Sequence, residues 1–156
     1  MKAAWLRCGI NVWLPFLAAG TRVEHIAEDF REVRVCMPLR WYNRNYVRTH
    51  FGGSLYAMTD PFYMIMLMQV LGRDYHVWDR QASIEYLAPG RGTVRARFEL
   101  AEEQLAEIRT RTAGGEKHLP EFTVDVKDAA GVVVARVRRQ IYVRLKPQAR
   151  PENRAA

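Results

Sequence analysis

Gly52, Gly53 and Asp60 are residue types suited to chemistry on a carbonyl: amides able to approach it, and a carboxylate. They lie within NYVRTHFGGSLYAMTDPFYMIMLMQVLG, residues 45–72, which joins a polar glycine turn to the most apolar run of the chain. Two glycines ahead of a helix let a substrate carbonyl reach unspent amides at the positive end of the helix dipole, where developing negative charge is stabilised. Used as an oxyanion hole, each such donor is worth roughly 3 kcal/mol. The plainer reading is a glycine turn that only lets the chain enter the helix.

From Leu55 to Leu71 the clearly polar side chains are Thr59, Asp60 and Gln69, so the pattern predicts a helix buried on all sides. A lone carboxylate in such a helix costs several kcal/mol or takes up a proton, so Asp60 needs a reason. Three readings compete. Asp60 is the N-cap of a helix whose first residue is Pro61; or the run spans a membrane, although it falls short of ~20 residues and Asp60 and Pro61 interrupt it; or the helix begins at Gly53 or Ser54 and Pro61 kinks it. In the third reading seven residues separate Gly53 from Asp60, a rise of roughly 10 Å. One small reacting group cannot touch both. A site using the Gly53 amide and the Asp60 carboxylate then takes them from different copies of the chain, across a two-fold axis.

His50, Gly52, Gly53 and Asp60, with Asn45 upstream, resemble the Asn, His-Gly-Gly and Asp signature of hotdog-fold acyl-CoA thioesterases of the phenylacetyl-CoA thioesterase type. The wider stretches HFGGSLYAMTDPFYM, DYHVWD and APGRGTVRARFEL are similar to an uncharacterised hotdog group related to those enzymes, and the resemblance runs from about Trp13 to Lys146. It implies an α+β hotdog fold: a curved antiparallel sheet wrapped around a long central helix, here with an extra N-terminal helix. It also implies paired protomers with a shared active site. Departures are Phe51 inside the His-Gly-Gly triplet, Arg48 where a small residue is common, and Pro61 after the acid. Related hotdog hydratases pair an Asp with a His five residues on; here that position is Ile65, which disfavours hydration.

The 156-residue chain fits one domain, with 49% hydrophobic and 26% charged residues and a net charge of +7. That charge suits an anionic ligand such as coenzyme A, a nucleic acid or an anionic surface, and is equally a solvated exterior. Cys8 and Cys36 lack disulfide or zinc spacing, the four histidines are scattered, and a cytoplasmic protein without metal is expected. Residues 1–20 have an apolar run like an export signal, but Arg7 and Asn11 interrupt it. Trp5, Trp13 and Phe16 fit an amphipathic opening helix stopped at Gly20.

Strands are predicted over 21–26 and 32–39, with Val33, Val35 and Met37 on one face. After the central helix and Gly72, strands over 77–87 and 93–100 are expected to form a hairpin around Ala88-Pro-Gly-Arg-Gly. A helix over 101–111 follows, then a second hairpin, 121–126 and 132–145, around Asp128-Ala-Ala-Gly. Arg139 falls on the apolar face of its strand, by a strand end, a bulge or a site contact. The domain is taken as 1–146 and the polar tail 147–156 as disordered. One sheet covers one side of the central helix, a second reason to expect a dimer or a dimer of dimers.

The expected function is hydrolysis of an acyl-CoA thioester. Asp60 acts as general base or as nucleophile, the Gly53 amide binds the oxyanion, and His50 and Asn45 orient the thioester carbonyl, the water or Asp60. Gly52, Ser54, Arg91 and Arg95 are expected to bind substrate, the two arginines meeting coenzyme A phosphates. No cofactor is expected, coenzyme A entering as part of the substrate, and neither nucleic acid nor membrane is an expected partner. The alternatives are a hotdog module that binds acyl-CoA or acyl chains without turnover, and a basic nucleic-acid binder, which would need its arginines on one continuous face. A Gly-x-Ser-x-Gly elbow, a Walker loop and a dinucleotide fingerprint are all missing from the sequence.

Overall fold

A computed structural model describes residues 2–150. Two short helices open it, α1 (Ala3–Val12) and α2 (Leu14–Ala19), followed by β1 (Arg22–Ile26) and β2 (Glu32–Pro38). The opening helix predicted from the sequence is thus bent at Trp13, and Gly20 ends it in the left-handed conformation at φ 77°. The predicted central helix is two helices, α3 (Gly52–Ala57) and α4 (Phe62–Leu71), interrupted at 58–61, where the Asp60–Pro61 peptide is cis. Then come β3 (Tyr75–Tyr86), β4 (Thr93–Glu99), α5 (Glu102–Thr112), β5 (Glu121–Lys127) and β6 (Val133–Leu145).

The six strands form one antiparallel sheet in the order β1-β2-β4-β5-β6-β3. Period-two alternation decides its faces: Val94, Ala96 and Phe98 of β4 are buried while Arg95 and Arg97 face solvent. On β6 the alternating buried set is Ala135, Val137, Arg139, Ile141, Val143 and Leu145, and Val134 beside it is buried as well. The helices pack on this inner face. Phe62 at the start of α4 bridges it, its ring 4.9 Å from Phe98 of the sheet and 5.7 Å from Phe16 of α2. Tyr63 stacks on Phe122 with ring centroids 4.5 Å apart. The architecture is the α+β hotdog arrangement.

The expected pairing of strands is corrected. β3 and β4 are not a hairpin: β3 pairs with β6 at the sheet edge, and β4 lies between β2 and β5. Three strand spacings separate β3 from β4, about 14 Å, and the six residues 87–92 can extend to about 20 Å, so the turn residues arch over the sheet end instead of folding back. The amides of Leu87 and Ala88 donate to the Val134 carbonyl, and Gly90 and Gly92 carbonyls accept from the amides of His50 and Leu39. The tail expected to be disordered begins with a 3-10 turn over Pro147–Ala149 in which Ala149 is buried; its residues 151–156 lie outside the described residues.

Candidate active site

Asp60 sits between α3 and α4, outside both, and caps neither: the residue preceding α4 is Pro61, and no side chain caps that helix. The N-cap reading is therefore excluded, and so is the picture of a carboxylate inside a continuous buried rod. Its side chain is 49% exposed. Its partner is the arginine that sequence pattern placed on an apolar face without a reason. Arg139, 2% exposed, puts Nη1 3.4 Å from Asp60 Oδ2 and 3.4 Å from Asp79 Oδ1, with Nη2 also 3.4 Å from Asp60 Oδ2. Its guanidinium lies over the Tyr56 ring at 5.4 Å.

Asp79 reaches this group because of a bulge. The β3–β6 register slips between Asp79 and Gln81, so Asp79 faces inward with Tyr75 and Val77, and Ala82 and Ile84 take over that face beyond the bulge. Burial pushes the Asp79 carboxyl above its ordinary pKa, while the Arg139 guanidinium pulls it back down and the Asp60 charge adds to the rise. Nε and Nη2 of Arg139 are buried without a hydrogen-bond partner among the described residues. A guanidinium with unspent donors beside a solvent-reachable carboxylate is an unusual use of the interior, since an unmet buried donor costs about 1–3 kcal/mol.

The glycine turn builds a second centre. Asn45 closes its own loop: its Nδ2 donates to Thr49 Oγ1 (2.8 Å) and the His50 carbonyl (3.2 Å), and its Oδ1 accepts from the Thr49 amide (3.0 Å). His50 is buried, and its Nε2 lies 2.9 Å from the Gly92 carbonyl, which can only accept, so Nε2 carries the hydrogen. Nδ1 is then a lone pair, buried and without a partner among the described residues. Burial lowers the His50 pKa against the opposing Gly92 contact, which favours the neutral ring. Asn45, His50, Gly52, Tyr86 and Arg91 line one cleft of about 530 Å³ between the turn and the 87–92 arch.

The first amides of α3 with backbone partners are those of Ser54 and Leu55, both donating to the Phe51 carbonyl. Gly52 and Gly53 thus keep the N-terminal donors. Their space is limited: a Cβ on Gly52 would meet the Tyr86 hydroxyl at 2.8 Å, and one on Gly53 would collide with the Phe51 ring. Ser54 is buried within α3 and does not line the cleft. Arg95 is on the opposite, solvent-facing side of the sheet, 3.4 Å from Glu24 Oε1, because strand alternation puts it there. Within one chain, then, Asn45, His50, Gly52 and Arg91 come together, while Asp60 belongs with Arg139, Asp79 and Tyr56. For Arg139 the sequence offered a site contact only as one of three accounts, and Asp79 was not among the candidate site residues. The available signal was a charge at an inward position of an otherwise apolar strand.

Most outward arginines of the central strands are paired with acids, whereas Arg22 of β1 and Arg80 of β3 form no ion pair among the described residues. Arg34, Arg95, Arg97, Arg136 and Arg138 each form an ion pair with a glutamate or aspartate.

The architecture is that of the hotdog fold found in thioesterases. It matches a Pseudomonas aeruginosa protein of unknown function, named a probable thioesterase, with a TM-score of 0.79 at 18% identity over 94% of this chain and 97% of that one. It likewise matches a Haemophilus influenzae thioesterase (TM-score 0.67, 13% identity, 93% and 92% covered). A Chlorobaculum tepidum protein of unknown function matches with a TM-score of 0.71 at 21% identity, over 92% and 94% of the two chains. Within that fold, the chain belongs to the family defined by a domain of unknown function, DUF4442, whose model matches residues 3–143. Among curated proteins no sequence match is found.

Proposed function

We propose that this protein hydrolyses an acyl-CoA thioester, with Asp60 as general base or nucleophile and the Gly53 amide of a second copy of the chain as oxyanion donor. The observation that carries the reading is Asp60 itself: an uncapped, solvent-reachable carboxylate held beside a buried guanidinium, at the break in the helix that the sheet leaves partly uncovered. Arg139 places a positive charge beside that carboxylate. As base, Asp60 takes a proton from water, the hydroxide adds to the thioester carbon, and the oxyanion is met by the glycine amides. The C–S bond then breaks, and the thiolate leaves without needing a strong acid. As nucleophile, Asp60 attacks the same carbon, the C–S bond breaks to release the thiolate, and water hydrolyses the mixed anhydride left on Asp60. Separation of the glycine cleft from Asp60 within one chain supports a site completed by pairing. The α4 stripe Met64, Ile65 and Met68 remains open for it, as does the free edge of β3. Thioesterases among proteins of this fold support the reaction class.

Thiol release from a panel of acyl-CoAs tests this. Wild type is expected to turn over at least one, and Asp60→Asn to lose roughly 10²–10⁴-fold. Undiminished hydrolysis by the variant would remove Asp60 from the chemistry. One observation favours the second reading, a module that binds acyl groups without turnover: the Phe51 ring occupies the space over Gly53. Acyl-CoA binding without thiol release by wild type, with release appearing in Phe51→Ala, would establish it.

A further inference from the structure

We propose that the outer face of α1 and α2, with the loop after β2, docks on the surface of an anionic lipid bilayer. α1 is apolar on both sides. Ala3 and Ile10 are buried, whereas Trp5, Cys8 and Val12, at positions i, i+3 and i+7, are exposed, Trp5 by 74%. α2 repeats the arrangement, with Phe16 and Ala19 inward and Leu14, Leu17 and Ala18 outward, Leu14 by 74%. Trp13 is exposed at the corner between them. The loop after β2 extends this surface: Asn43 Nδ2 donates to the Ala19 carbonyl at 3.0 Å, which fastens the loop to the end of α2. Trp41 there is 82% exposed, and Leu17, Arg22, Arg40 and Tyr42 line a common groove.

Charge identifies the occupant. No aspartate or glutamate occurs in residues 2–23 or 37–59, which carry Lys2, Arg7, Arg22, Arg40, Arg44 and Arg48. Among the described residues Arg22, Arg40, Arg44 and Arg48 form no ion pair and are exposed, unlike Arg34, Arg95, Arg97, Arg136 and Arg138. Apolar side chains and tryptophans rimmed by free cations match a bilayer interface, where rings settle at headgroup level and cations meet lipid phosphates. A second copy seated here would set the same positive rim against itself. α1 is about 15 Å long, half of the ~30 Å hydrocarbon core, and no described helix is long and apolar enough to cross a membrane. The helices therefore lie on the surface. β1, against which α1 packs, is the opposite edge of the sheet from β3, so pairing through β3 leaves this face open.

Flotation of the full chain tests the proposal, with vesicles of phosphatidylcholine alone and of an equimolar mixture of phosphatidylcholine and phosphatidylglycerol. Wild type is expected to float with the mixture and not with phosphatidylcholine, to shift its tryptophan emission to the blue, and to release as salt rises. Trp5→Ser/Leu14→Ser removes apolar contacts and Arg40→Glu/Arg44→Glu reverses the rim. All four positions are exposed, so both variants should keep the wild-type thermal midpoint while binding falls roughly tenfold or more. No flotation with the anionic mixture at low salt, equal flotation with both vesicle types, or undiminished binding by both variants would overturn the proposal. So would a change in the oligomeric state of the lipid-free protein on substitution, which would make the face an interface between copies.

Discussion

Arg139 is a cation in the interior of a strand, and it persists there because two carboxylates and the Tyr56 ring surround it. Removing it leaves Asp79 largely buried with no counter-charge, whereas Asp60 is half in water and loses less. Arg139→Met is accordingly expected to lower the unfolding free energy by roughly 2 kcal/mol at neutral pH, measured by urea unfolding, and to reduce thiol release toward the level of Asp60→Asn. Arg139→Lys, which keeps the charge but not the fork, should recover stability more than turnover. His50 sets a different pH dependence. Its folded pKa is depressed below the ordinary value of 6.5 by burial, so the unfolded chain binds a proton first as pH falls. Stability is therefore full above about 6.5 and declines on acidification through that value. His50→Gln, which retains a donor for the Gly92 carbonyl, should flatten the fall of the thermal midpoint between neutral and mildly acidic pH.

At the scale of elements, the break between α3 and α4 does the positioning. A continuous helix would carry Asp60 along its own surface; the interruption instead presents the carboxylate beside the inner face of β6, where Arg139 waits. Immediately after the break, Phe62 ties three layers together, touching Phe16 of α2 and Phe98 of β4. Phe62→Ala removes both contacts at a fully buried position and should cost about 3–5 kcal/mol in denaturant unfolding. The bulge in β3 is the corresponding device on the sheet, since without it Asp79 and Ile84 could not both face inward.

For the whole molecule the telling feature is incompleteness. β3 carries no fully buried residue and forms a free sheet edge, and α4 buries Phe62, Tyr63, Met66 and Leu67 while Met64, Ile65 and Met68 stay partly or wholly open. Long edges and exposed apolar stripes are surfaces that proteins cover. The chain is expected to sediment as a dimer or larger at micromolar concentration, and Met68→Lys, which puts a charge on the stripe, to shift it toward monomer. If Met68→Lys also abolishes thiol release while its thermal midpoint is retained, the site needs two chains; full activity in a monomer would place it within one.

Local chemistry wrote much of this into the sequence. Alternation in 93–100 and 132–145 defined two strands and their faces, the turn at Asp128-Ala-Ala-Gly defined a hairpin, and the glycine turn with Asp60 marked the residues worth following, because side-chain period and backbone preference act within a few residues. Strand partnership did not follow from them: β3 and β4 adjoin in sequence but not in the sheet, as a six-residue arch can either fold back or reach across. The company of Asp60 did not follow either. Its contact with Arg139 joins positions 79 residues apart, and the contact of Arg139 with Asp79 depends on a bulge, so only the assembled sheet and helices could decide which charges meet.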